Sequence, residues 1–104
     1  MKLNLAERFK ILQILPKEGN FVTLNIVGEL QKELAPSEEE FKEFEITQKD
    51  TQITWNIKGS KEKEIKVGEK ASDIISEELE KLDKENKLTA QDISIYKKFV
   101  KNKD

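Results

Sequence analysis

The chain has 104 residues, room for one domain, with 36% apolar and 38% charged residues and a net charge of −2. It contains no cysteine and no histidine, which excludes disulfides, thiolate metal sites and a cysteine nucleophile and removes the commonest general base and metal ligand. Eighteen of the 19 basic residues are lysine, whereas recognition of phosphate and guanine ordinarily favours the bidentate fork of arginine.

The periodicity predicts a first helix over about Leu5–Leu15. Asn4 and Glu7 are spaced as a capping box, and Leu5, Phe9 and Leu12, widened by Ile11, Ile14 and Leu15, form its apolar face. Pro16 ends it, and Lys17-Glu18-Gly19-Asn20 reads as a turn. A second helix is predicted over about Thr23–Leu34, with Leu24, Val27, Leu30 and Leu34 on one face. Gly28 inside it costs about 1 kcal/mol relative to alanine, and we expect close packing against another helix as its compensation. Pro36-Ser37 opens a third helix reaching about Glu45. Ser37 and Glu40 form a capping box there, and Glu38, Glu39 and Glu40 stand where the helix dipole favours anions.

The period then changes. Ile46 within Glu45–Gln48, then Ile53, Trp55 and Ile57, then Ile65 and Val67, alternate with polar residues. Turns at Lys49-Asp50 and Lys58–Lys61 would join them as a three-stranded antiparallel meander. A fourth helix over about Glu69–Asn86 buries Ala71, Ile74, Ile75, Leu79 and Leu82. A last one, from the Thr89 cap to about Val100, buries Ile93, Tyr96 and Val100, with residues 101–104 frayed. The fold class expected is therefore a single α+β domain over 1–104: three helices, a three-stranded meander and two helices, an order shared with winged-helix domains.

Standard winged-helix DNA readout is disfavoured. The third helix carries five glutamates and one lysine between Ser37 and Glu45, against a duplex with one negative charge per roughly 1.7 Å. Lys58, Lys61, Lys63 and Lys66 give the hairpin region an alternative nucleic-acid surface, with Trp55 as a stacking platform; we favour Trp55 facing the core. The unbalanced acids Glu38, Glu39, Glu40 and Glu43, together with Lys17, Glu18 and Asn20 of the first turn, are the expected contacts for a protein partner. Read as exposed, these glutamates lack the burial that acid–base catalysis requires. Asp83–Asn86 starts like a calcium loop but has Leu88 and Ser94 where glycine and glutamate are needed, and the four glycines fit no phosphate-binding motif. We therefore expect no enzymatic activity, no cofactor and no metal. No apolar run has signal-sequence or membrane-spanning length, so no membrane association and a cytoplasmic location are expected.

The stretch Ile14-Leu15-Pro16-Lys17-Glu18-Gly19-Asn20, with Thr23-Leu24, Ser37–Glu40 and the closing Lys87-Leu88-Thr89 before Tyr96 and Phe99, resembles small uncharacterised proteins of bacteriophages and prophages. The resemblance implies a bacterial host cell and an accessory role on a host or phage macromolecule. It carries no functional residue with it. The expected function is a non-enzymatic, protein-binding regulatory module, with nucleic-acid binding through the hairpin lysines and self-assembly as a structural component as alternatives.

Overall fold

The computed structural model describes residues 1–101. Three of the frayed positions expected at 101–104 lie outside the described residues. The order is β1 (Lys2–Leu3), α1 (Leu5–Ile14), α2 (Phe21–Leu34), α3 (Glu38–Glu43), β2 (Thr47–Lys49), β3 (Gln52–Thr54), a 3-10 turn (Ile57–Ser60), β4 (Lys63–Glu64) and α4 (Glu69–Lys84). A final helical segment follows with a 3-10 start (Ala90–Asp92), α5 (Ile93–Tyr96) and a π-helical end (Lys97–Lys101). The fold class is α+β, as the sequence predicts.

The caps act as their chemistry requires. Asn4 Oδ1 accepts the Glu7 N–H at 2.9 Å and Glu7 Oε1 accepts the Asn4 N–H at 2.9 Å; Ser37 and Glu40 repeat the device, as do Thr89 and Asp92. Asn20 caps α2 by accepting from Thr23 N at 2.8 Å, so this helix starts at Phe21, earlier than its apolar stripe suggests. α3 and α4 end on left-handed residues, Glu45 (φ 51°) and Asn86 (φ 57°), whose successors donate back to Phe41 O at 3.0 Å and Leu82 O at 2.8 Å.

α1, α2, α4 and the last helical segment surround one core. Leu3, Ile11, Leu34, Ile75, Leu79 and Ile95 are fully enclosed there, with Phe99. A second, smaller cluster sits apart from it: Leu5, Phe44 and Ile46, with Phe9, Ile53 and Trp55 half-buried against them.

The strands depart from the expected meander. β2 and β3 form one antiparallel pair, with Thr47 opposite Thr54 and Lys49 opposite Gln52. β4 instead pairs with β1, Leu3 opposite Lys63. Asn56 is the physical reason. Its backbone N–H donates to Phe44 O at 2.8 Å, its Nδ2 to Glu43 O at 3.0 Å, and its Oδ1 accepts from Lys58 N at 3.0 Å. These bonds turn the chain into the 3-10 segment, so β3 stops at Thr54 and Ile57 is thrown out to 88% exposure. The winged-helix order gains no support from this pairing. Gly28 is a second departure: nothing lies within 4 Å of a Cβ built there, so it makes no close helix–helix approach.

Candidate functional site

The predicted acidic surface must be redrawn around the single arginine. Arg8, on α1, is 2% exposed. Its Nη1 donates to Glu40 Oε2 at 2.6 Å and its Nη2 to Glu40 Oε1 at 3.0 Å. Nε and Nη2 also reach Leu34 O at 3.0 Å and Ala35 O at 3.2 Å, satisfying carbonyls at the end of α2. Glu40 is therefore buried and neutralised rather than presented to a partner. Its place as third residue of α3, fixed by the Ser37 cap across the short Pro36 link, aims its carboxylate at α1. The Arg8 hydrogen bonds hold this carboxyl down at about 2 against the opposing cost of burial, helped by the Ser37 N–H and by Lys63, whose Nζ is 3.5 Å away. The sequence does carry a signal for Arg8. It stands three residues after Leu5 and three and seven before Ile11 and Leu15, on the stripe that must be buried.

Glu38, Glu39 and Glu43 are exposed and form no ion pair among the described residues. Glu39 and Glu43 share a cleft of about 330 Å³ with Lys61 and Lys63, so the structure brings the expected protein-contact acids and two of the expected nucleic-acid lysines onto the same ground. Lys58 and Lys66 are exposed and likewise unpaired among the described residues. The acids between them are occupied. Lys98 Nζ binds Glu62 Oε2 at 2.6 Å, Glu7 Oε1 at 2.9 Å and Lys2 O at 2.8 Å, while the N-terminal amine pairs with Glu64. Burial works against the charge on Lys98, but Glu62 and Glu7 outweigh it and raise its pKa. Both exposed carboxyls, Glu62 and Glu64, are lowered by the cations they bind.

Lys17, Glu18 and Asn20 are exposed at the turn before α2. The next turn of chain holds what the sequence reading missed. Phe21 is 82% exposed, Val22 60% and Leu24 38%, although the apolar period puts Leu24 on the stripe of Val27, Leu30 and Leu34. The faces that α2 buries are set by Val27, Leu30 and Leu34; Phe21 and Val22, six and five residues before Val27, fall on other sides of the helix. The signal was available once Asn20 is recognised as a cap, because the cap forces both residues into helical phase. Beside this turn a groove of about 570 Å³ runs between α2 and the start of α4, floored by Ile26, Leu30 and Ala71 and rimmed by Glu29, Glu33 and Lys66.

Among the described residues no group of three acidic side chains is placed to hold a metal ion, and no helix is long and apolar enough to cross a membrane. No family model, curated protein or solved structure matches the chain.

Proposed function

We propose that this chain is a small, non-enzymatic module that binds a protein partner through the start of α2. The observation that carries the reading is the run of exposed apolar side chains, Phe21, Val22 and Leu24, beside the Lys17–Asn20 turn. Isolated exposed apolar residues are ordinary, but three within four positions, one turn before an apolar-floored groove, have the composition of an interface centre. Burying Phe21 against a partner would contribute about 1.5–3 kcal/mol, the weight of a binding hot spot. Glu38, Glu39 and Glu43, without an ion pair among the described residues, make a separate flank on α3 that suits a neutral or cationic partner surface. In a phage setting the partner is a host factor in the bacterial cytoplasm.

A photo-crosslinking residue placed at Val22 and, as a control, at exposed Gln48 tests this in cells of the native host. The expected result is one protein captured from Val22 alone, and lost when Phe21→Ser is added. Capture that is equal from both positions, or indifferent to Phe21, would overturn the reading. Sedimentation over a concentration series separates self-assembly from a foreign partner.

A second reading, nucleic-acid binding through Lys58, Lys61, Lys63 and Lys66, is favoured by one observation: Glu62 and Glu64 are already neutralised, so the lysines around them dominate the local field. Glu39 and Glu43 in the shared cleft oppose it. A gel shift at roughly 50 mM salt decides, since phosphate contacts are strongest at low salt.

A further inference from the structure

A second cleft, of about 330 Å³, lies between α1, the β2–β3 hairpin and the start of the last helical segment. One side is apolar and aromatic. Phe9 and Trp55 stack with ring centroids 5.5 Å apart at 32°, and Ile53 lies beside them. Trp55 is wedged: a Cβ built on Gly59 would lie 2.3 Å from its Cδ1 and 2.8 Å from its Nε1. The ring is therefore held by shape, pre-organised at the wall of the cleft.

The polar lining divides into two kinds. Both charged groups are committed to the protein. Glu7 Oε1 accepts from Asn4 N and from Lys98 Nζ, each at 2.9 Å. Lys10 Nζ stands 3.6 Å from Asp92 Oδ1, a fully buried oxygen with no hydrogen-bond donor among the described residues. The formal charges of Glu7 and Lys10 also cancel, so charge does not choose the ligand. Of the neutral groups, Asn4 is spent on the α1 cap and the other four are open. Gln13, Thr51, Gln91 and Ser94 line the cleft with side-chain donors and acceptors that bond to no described residue. Amides and hydroxyls facing an aromatic wall match an uncharged flat ring that carries donors and acceptors in its plane.

We propose that this cleft binds a heteroaromatic base of the purine or pyrimidine kind, packed against Phe9 and Trp55 and hydrogen-bonded by Gln13 and Gln91. The site is separate from the α2 surface and from the hairpin lysines, and it stands or falls independently of both.

Trp55 is the sole tryptophan, so the protein reports on its own cleft. Adenosine, uridine and thymidine are titrated into the full chain while Trp55 fluorescence and its indole N–H resonance are followed. A saturable response below about 10 mM for at least one nucleoside is expected, a weak but specific affinity. The double variant Gln13→Leu/Gln91→Leu, at two exposed positions that leave the core untouched, is expected to weaken binding about tenfold or more, since each lost hydrogen bond weakens the complex severalfold. A short oligo-thymidine is the second arm: tighter binding than thymidine assigns the base to single-stranded nucleic acid, equal binding to a free nucleoside. No saturable response from any nucleoside or from the oligonucleotide overturns the proposal. So does toluene binding as tightly as adenosine, or a double variant that binds every nucleoside unchanged while its fold, read by circular dichroism, is intact.

Discussion

The helical core and the small cluster under the hairpin are held by different physics. Around Ile75, Leu79 and Ile95, long amphipathic helices bring a dozen apolar side chains together, and shape and area suffice. Around Leu5, Phe44 and Ile46 there are three buried apolar residues, too few to order the hairpin alone. That side relies on specific fastenings: Arg8 clamped on Glu40, Asn56 on Phe44 O, and Trp55 on Gly59. The first kind of order tolerates many sequences. The second depends on single atoms, and its failure points can be named.

The largest effect is expected at the clamp. Arg8→Ala leaves Glu40 buried without its cation and strips the carbonyls at the end of α2, so a loss of about 3–5 kcal/mol in urea unfolding is expected. Arg8→Met/Glu40→Leu, which removes both charges, is expected to recover most of that loss; a double variant as unstable as the single one would show that the clamp is not the cause. Ile75→Ala probes the other region and is expected to cost about 2–5 kcal/mol through the cavity it opens. Native-state hydrogen exchange separates the two regions directly. The Thr54 amide, in the bonded pair with Thr47, is expected to exchange by local opening while the Ile75 amide follows global unfolding, and equal protection would erase the comparison.

Acid sharpens it further. Glu40 titrates at about 2 in the folded chain against 4.5 ordinarily, so its contribution is present above about pH 4.5 and drains away as pH falls towards 2. The stability gap between the native chain and Glu40→Gln is expected to narrow by about 3 kcal/mol over that window in urea titrations. Gly59→Ala, which drives a methyl group into Trp55, is expected to cost about 1–3 kcal/mol and to shift tryptophan emission. Gly28→Ala is the smallest and has the opposite sign, a gain of about 0.5–1 kcal/mol in thermal melts, because the helix gains a better former and nothing is in the way.

What could be read from the sequence follows the same division. The α2 and α4 cores and the caps at Asn4, Ser37 and Thr89 were legible because their signals are local and periodic. The β1–β4 pair was not. Each strand has two residues, and what joins Leu3 to Lys63 is a ladder between distant parts of the chain that no window of residues contains. The alternation Ile53, Trp55, Ile57 has the period of a strand, but one asparagine with five polar partners overrides it. Of the expected partner-binding residues, Lys17, Glu18, Asn20, Glu38, Glu39 and Glu43 are exposed. Glu40 was misplaced because a capping glutamate and a buried ion-pair partner are spelled alike, and only the distant Arg8 tells them apart.

Lys98 grips the carbonyl of Lys2 and the carboxylate of Glu7 across 96 and 91 residues of chain. During synthesis the first strand and the first helix therefore wait, with that carbonyl and that carboxylate unclaimed by their cation, until the final helical segment has left the ribosome. Residues made early are among the last to be secured.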